Sequence, residues 1–315
     1  MKPLVIYHAN CTDGFGAAFA AWLRLGGEAE YLPMEYGKNF LTEYAGSTID
    51  REIYILDFSF PREVMDALFQ RAKRVVWLDH HASVFKDYGF SIDRVQTEED
   101  LHIIQAPHVV TLDNNKSGAL LAWEYFHPGT EVPMLIQHID DYDRWQFKLE
   151  GSKELHAALA SYKPWSFEQW DGFLVWENFR QEGKAILRAH NQNVQSALKQ
   201  ARLCALIPAL INSADSYKAP WLWRTTQEYG DQCYVSGLAA NAPAFLASDL
   251  GHELANKSGT FGLVWSMAGD GQVHCSLRSN GEYDVSAIAK AFGGGGHRNA
   301  AGFSTNIETL MEWLK

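Results

Sequence analysis

The chain has 315 residues, of which 47% are hydrophobic and 21% charged, and its formal net charge is −11. That length exceeds the roughly 100 to 200 residues of one domain, so two domains are expected, and the apolar content excludes a disordered chain. The acidic balance argues against a protein that tracks long nucleic acid with clustered Lys and Arg, while leaving room for a small anionic substrate held by a few cations or metal ions.

Up to about residue 150, short β-branched runs alternate with segments of helical period, the pattern of parallel strands joined by helices. The spacing predicts a strand over 4–8, a helix over 14–25, a strand near 30 and a strand over 53–57. A helix opened by Pro61 as its first residue comes next, then a strand over 75–78 and helices over 116–126 and 132–141. From 151 to 176 the text is aromatic and irregular, and from 178 to 204 it is a long polar helix. Beyond it come hairpin-like strands over 233–238, 260–266 and 273–277 and a helix over 285–292. The expected plan is an α/β domain over 1–177, a linker helix over 178–204 and a smaller α+β domain over 205–315.

Cys11, Cys204, Cys233 and Cys275 are scattered without CxxC spacing, so neither a zinc ribbon nor a disulfide framework is indicated, and a reducing, cytoplasmic setting is expected. No apolar run approaches the roughly 18 residues of a membrane span, and no signal peptide is read.

Three predicted strands end in groups suited to metals: His8 followed by Asp13, then Asp57, then Asp79-His80-His81. In an open parallel sheet these ends share one edge. Carboxylates suit Mn²⁺ or Mg²⁺, and imidazole shifts the preference towards Mn²⁺ and related ions. Two such ions about 4 Å apart clamp a phosphate and acidify a bridging water, and Asp57 is the choice for the carboxylate between them. Taken singly, a strand-end Asp serves equally well as a helix cap. An Asp-His-His triplet beside two further acidic strand ends is not explained that way. The acids Asp140, Asp141 and Asp143 follow a helix and can reach the same edge or merely end that helix.

Near the C-terminus, Gly293-Gly294-Gly295-Gly296 precedes His297-Arg298-Asn299. Four glycines allow close backbone approach, so their N–H groups are expected to form an anion-binding nest, with His297, Arg298 and Asn299 adding donors. A simple turn needs one or two glycines. Arg278, at a strand end, is a candidate bidentate phosphate clamp. Trp145, Trp165, Trp170, Trp176, Trp221 and Trp223 offer base-stacking surfaces, although packing accounts for most of them.

The Asp79-His80-His81 triplet resembles the motif that names the DHH phosphoesterase superfamily, and the run from Gly293 to Gly302 resembles the signature of its DHHA1 domain. The resemblance implies a DHH domain and a DHHA1 domain with the active site in the cleft between them. It also implies two Mn²⁺ ions, with Mg²⁺ as the alternative, on His8, Asp13, Asp57, His80 and Asp141. His81 would approach the substrate phosphate and Asp79 would orient the histidines. The first motif departs from the pattern: in His8-Ala9-Asn10-Cys11-Thr12-Asp13-Gly14, Asn10 or Cys11 stands where a second carboxylate is expected, which implies a weaker first metal or an added water.

Among members, the chain resembles the nanoRNase-like, oligoribonuclease-type enzymes, including those that degrade the linear dinucleotide pGpG. That implies hydrolysis of short oligoribonucleotides or dinucleotides to nucleoside 5′-monophosphates, catalysed by Asp57, Asp79 and His81, with Arg278, Gly294, Gly295, Gly296, His297, Arg298 and Asn299 binding substrate. No membrane partner is expected, and an oligomer is compatible with the sequence. Alternatives in the same superfamily are a phosphatase for 3′-phosphoadenosine 5′-phosphate or a single-strand exonuclease. Outside catalysis, the alternative is a nucleotide-binding regulator impaired by its altered first motif.

Overall fold

Runs such as Leu-Val-Ile-Tyr, Ile-Tyr-Ile-Leu and Val-Val-Trp-Leu are apolar at every position, which suits strands buried on both faces. The structure, a computed structural model, describes residues 1–36, 40, 44–81, 84, 107–173, 177–206, 226–229, 232–281 and 283–314. Two units are distinguished, Met1–Leu187 and Arg188–Lys315.

In the first unit, β1 (Leu4–His8), β2 (Glu30–Met34), β3 (Glu52–Leu56), β4 (Arg74–Asp79) and β5 (Val109–Leu112) form a five-stranded sheet in the order β2-β1-β3-β4-β5. All four strand pairings are parallel. Alternate residues enter two cores. Val5, Tyr7, Tyr54, Leu56, Val76 and Leu78 face one side, packed against α1 (Thr12–Leu25) and Ala119, Leu121 and Ala122 of a later helix. Leu4, Ile6, Ile53, Ile55, Val75 and Trp77 face the other with Met65 and Leu68 of α2 (Arg62–Arg71), for which Pro61 is the cap rather than the first helical residue. β5, only four residues long, carries too little periodicity to be read from the sequence.

The chain continues as α3 (Gly118–Phe126), α4 (Met134–Asp143), α5 (Ser152–Ser161) and α6 (Phe167–Phe173). The last two replace the irregular segment expected over 151–176. The aromatics here pack inward: Trp170 of α6 is fully buried with its ring centroid 4.8 Å from Phe15, and the half-buried Trp165, between the two helices, donates its indole N–H to Leu159 O at 2.6 Å. Of the candidate stacking residues, Trp145 is 46% exposed, and Trp176, Trp221 and Trp223 lie outside the described residues.

The boundary between the units falls within α7 (Glu177–Leu198). That helix ends before the expected residue 204, because β6 (Arg202–Leu206) pairs antiparallel with β8 (Gln232–Asn241). β7 (Thr226–Tyr229) pairs with the other end of β8. Helix α8 (Ala247–Ser258) crosses over to β9 (Phe261–Met267), which lies parallel to β8 rather than in a hairpin with it. β10 (Val273–Ser279) is antiparallel to β9. After α9 (Val285–Ala291), β11 (Gly295–His297), β12 (Ala300–Thr305) and α10 (Ile307–Trp313) complete the unit. One face of the sheet packs Leu263, Cys275, Leu277 and Phe303 against Val285, Ile288 and Leu310. The other packs Ala240 and Val264 against Val194, Leu250 and Leu254.

Candidate metal centre

Strands β1, β3 and β4 are adjacent, so their carboxyl ends bring His8, Asp57 and Asp79-His80-His81 together although up to 73 positions separate them. Strand order 2-1-3-4-5 reverses direction between β1 and β3, the switch point where open α/β sheets form their crevice. His8 and Asp57 stand at that point.

Two close approaches tighten the site. A Cβ on Gly14 would overlap His8 O, and a Cβ on Gly118 would overlap Asp57 Cβ. Glycine at both positions therefore lets α1 and α3 start against the strand ends. Asp57 itself has φ of 52°, a left-handed conformation uncommon outside glycine, and this turns its carboxylate into the crevice.

Asp57 is 1% exposed. Its Oδ1 lies 3.1 Å from His80 Nε2 and 3.8 Å from His81 Nδ1, and its Oδ2 lies 3.5 Å from His8 Nδ1. His80 Nε2 is ringed by carboxylates, with Asp13 Oδ2 at 3.4 Å and Asp143 Oδ2 at 3.5 Å besides Asp57. Asp13 is oriented by two backbone donors at the start of α3, Gly118 N at 2.7 Å and Ala119 N at 2.9 Å. Potential ligand atoms thus fall into overlapping sets within 4.8 Å: His8, Cys11 and Asp57; Asp13, His80 and Asp143; Asp57, Asp79, His80 and His81.

Asp79 plays a different part. Its Oδ1 accepts from His80 N at 2.7 Å, His81 N at 3.2 Å and His81 Nδ1 at 2.6 Å, and its Oδ2 accepts from the Ser59 hydroxyl. Trp77 Nε1 in turn donates to Ser59 Oγ at 3.0 Å. With both oxygens engaged, Asp79 positions the two histidines. Ser59 carried no sequence signal, since a lone Ser two residues past a strand-end Asp is unremarkable until Asp79 is placed over it.

The structure departs from one expectation and decides between two alternatives that the sequence left open. Asp141 does not join the cluster: its carboxylate accepts from Lys148 N at 2.8 Å, Leu149 N at 3.1 Å and Ser152 Oγ at 2.5 Å, closing the turn after α4. Asp143, two residues on and about a half-turn around the helix, faces His80 instead. In the first motif, Asn10 turns outward to Glu35 Oε1 at 2.8 Å, so the side chain that replaces the expected carboxylate is Cys11.

The electrostatics are those of a cation site. Burial, then the charges of Asp57 and Asp143, raise the Asp13 carboxyl well above its usual range. Burial raises Asp143 as well, partly offset by His80. Burial also opposes ionisation of Asp57, but the imidazoles of His8 and His80 outweigh it and hold that carboxyl low. His80 is raised because Asp57, Asp13 and Asp143 overcome its desolvation, and Asp79 likewise pushes His81 up to about 9. His8 Nδ1 and Asp57 Oδ2 are buried without a hydrogen-bond partner, which is costly unless something else engages them. A divalent cation supplies that partner and relieves the carboxylate crowding, so the donors present fit a metal centre.

In the second unit, the glycine run does not form one nest. Gly293 N donates to Lys290 O at 3.1 Å and Gly294 N to Ala289 O at 2.8 Å, capping α9, while Gly295, Gly296 and His297 form edge strand β11 against β12. Gly294 is needed because a Cβ there would overlap Gly302 O. Arg298 is exposed, with Nε and Nη2 at 3.3 and 3.2 Å from Gly281 O, and Asn299 O accepts from Ser279 N at 3.1 Å. Register sets Arg278 opposite Ala300, at the same end of the sheet as this turn. Its Nη2 donates to Ser248 Oγ at 3.0 Å.

A model of the DHHA1 domain matches residues 233–315, alongside the Asp79-His80-His81 triplet at the metal-suited crevice. The chain belongs to the DHH/DHHA1 phosphoesterase superfamily. An uncharacterised protein of Acanthamoeba polyphaga mimivirus is 30% identical over 317 residues, spanning 96% of this chain and 67% of that protein. The pGpG-specific phosphodiesterase PggH from Vibrio cholerae shares the DHH/DHHA1 chain's fold at a TM-score of 0.50 and 11% identity, covering 99% and 96% of the two chains. RecJ from Thermus thermophilus, solved with Mn²⁺, gives a TM-score of 0.49 at 11% identity over 99% of this chain and 51% of its own. Superfamily members hydrolyse phosphoester bonds. Among the described residues, no helix of this member is long and apolar enough to cross a membrane.

Proposed function

We propose that this chain is a divalent-metal-dependent phosphodiesterase that hydrolyses short oligoribonucleotides or linear dinucleotides such as pGpG to nucleoside 5′-monophosphates. The observation that carries the reading is Asp57, buried at the strand-order switch with one oxygen towards His8 and the other towards His80. A carboxylate so placed can serve two ions at once, with His8 on one side and Asp13, His80 and Asp143 on the other. When bound, divalent ions there supply Lewis acidity, neutralising phosphate charge and lowering the pKa of water. The mixed carboxylate and imidazole donors favour Mn²⁺ over Mg²⁺.

The protein's own groups do the rest. Asp79 accepts from His81 Nδ1 and, without metal, pushes the imidazole up to about 9, which orients the ring and favours it as a proton donor to a phosphate oxygen. In the 205–315 region, Arg278 and the turn at Arg298 and Asn299 supply cationic and amide donors suited to a terminal phosphate, with His297 beside them in sequence. The glycines contribute close packing and, among the described residues, an edge strand at Gly295 and Gly296. The net charge of −11 disfavours a long polyanion, and the fold is shared with an enzyme specific for pGpG.

The test is a comparison of rates in Mn²⁺ on 5′-phosphorylated RNAs from dinucleotide to heptanucleotide, a long single-stranded DNA, and 3′-phosphoadenosine 5′-phosphate. Fastest cleavage of the shortest RNAs is expected. Faster cleavage of the long DNA or of the bisphosphate overturns the assignment, and tight nucleotide binding without turnover marks a regulator.

A further inference from the structure

Cysteine is an unusual residue at the N-cap of a long helix, where Ser, Thr, Asp and Asn are favoured because their oxygens accept from the first backbone N–H groups. Cys11 occupies that position in α1 with φ of −109° and ψ of 138°, and its side chain makes no capping bond. It is a free thiol whose Sγ lies within 4.8 Å of ligand atoms of both His8 and Asp57. Those two residues supply the buried polar atoms left without a hydrogen bond at the centre, His8 Nδ1 and Asp57 Oδ2, 3.5 Å apart. The neighbour that could have filled the position, Asn10, is committed to Glu35, and its carbonyl accepts from Lys163 Nζ at 2.8 Å. Bonds of about 2.0 Å to nitrogen or oxygen and 2.3 Å to sulfur can be made from donors gathered this closely.

We infer that Cys11 is a thiolate ligand of the metal ion held by His8 and Asp57, making that position a nitrogen, sulfur and oxygen set selective for Co²⁺ or Zn²⁺ over Mg²⁺. This rests on the metal-centre reading above. A thiolate preserves the single negative charge that a carboxylate would bring, but offers one soft, polarisable donor in place of two hard oxygens. Its formation releases one proton from Cys11 to solvent as the metal binds; burial and the charges of Asp57, Asp143 and Asp13 hold the metal-free thiol well above its usual range, so it is the cation's own charge that stabilises the anion. The two positions of the centre then differ in kind, because the set of Asp13, His80 and Asp143 contains no sulfur.

The experiment uses the full chain, reduced and stripped with chelator, titrated with Co²⁺ while calorimetry and near-ultraviolet absorption are recorded. The wild type is expected to show a sulfur-to-cobalt charge-transfer band. Cys11→Asp and Cys11→Ser should lack the band yet still bind Co²⁺. In Cys11→Asp the ratio of Co²⁺ to Mg²⁺ affinity should fall on the order of ten-fold or more. A second measurement needs no variant: alkylation of Cys11 in the wild type, mapped by mass spectrometry, should slow in the presence of Co²⁺. Co²⁺ binding without the band, a band that survives in both variants, or unchanged alkylation of Cys11 overturns the inference while leaving the metal centre intact. No Co²⁺ binding by wild type or Cys11→Asp overturns the centre itself, and this inference with it.

Discussion

Asp141 and Asp143 are two positions apart on α4, and replacing each by Ala separates a structural carboxylate from a metal-binding one. Asp141→Ala leaves the backbone N–H groups of Lys148 and Leu149 and the hydroxyl of Ser152 without their acceptor. Hydrogen bonds to a charged acceptor contribute roughly 1.5 to 3 kcal/mol each, and water can reach the exposed Lys148 and Leu149 once the carboxylate is gone, so a net loss of about 2 to 4 kcal/mol is expected. At about 2 to 4 °C per kcal/mol for a unit of this size, the midpoint of the first unit should fall by roughly 5 to 15 °C. Asp143→Ala removes an attraction to His80 and the repulsions from Asp57 and Asp13, so in chelator its midpoint should move by no more than about 1 kcal/mol equivalent. Its Mn²⁺ affinity, however, should drop by at least about 100-fold, with activity following. Thermal unfolding with and without chelator, paired with Mn²⁺ calorimetry, reads both effects. Normal Mn²⁺ binding by Asp143→Ala together with lost binding by a folded Asp141→Ala would refute the reassignment.

Asp57→Asn should fold, since Asn tolerates the left-handed backbone at this position, and should abolish both metal binding and turnover. Full activity in that variant would remove Asp57 from the centre. Gly118→Ala should push a methyl into Asp57 Cβ, costing about 1 to 3 kcal/mol and weakening metal affinity, as calorimetry would show. In chelator, stability should decline with alkaline pH: His81 is held up to about 9 in the folded protein by Asp79. Its unfolded value is about 6.5, so its contribution is complete below that pH and lost as pH rises through about 9. His80, also raised, adds a change of the same sign. His81→Gln should flatten part of this decline in urea midpoints taken from pH 6 to 10, and an unaltered profile would contradict the Asp79 to His81 pairing. For the metal itself, Mn²⁺ at about 100 times its dissociation constant should stabilise the first unit by roughly 2.7 kcal/mol relative to chelated protein, measured as a rise in midpoint.

Much of the first unit is legible before any coordinates, because a parallel sheet buried on both faces needs unbroken apolar strands and places a polar residue where each one ends. Leu4 to His8, Ile53 to Asp57 and Val75 to His81 have that form, which is why His8, Asp57 and the Asp79-His80-His81 triplet could be brought to one edge on paper. Helix α6 is not legible because Phe167 and Trp170, with Trp165 just before it, look irregular until they are seen to pack on Phe15 and Phe19. In the second unit the glycine run is visible, but its division into a helix cap and an edge strand is not, since glycine fits either conformation.

The sequence by itself determined that acids and imidazoles would gather at the ends of parallel strands, and that the first motif lacks a carboxylate. Only the tertiary structure decided which neighbours fill the gaps. Asp141 and Asp143 differ by about a half-turn of helix, and the turn at Lys148 and Leu149 closes on one of them and leaves the other facing His80. Asn10 and Cys11 are adjacent, and a left-handed backbone at Asn10, φ 60°, sends its amide outward to Glu35 and leaves the thiol beside His8 and Asp57. Local sequence cannot make either choice, because one depends on how the chain turns back after α4 and on the distant His80, and the other on Glu35, 25 positions away.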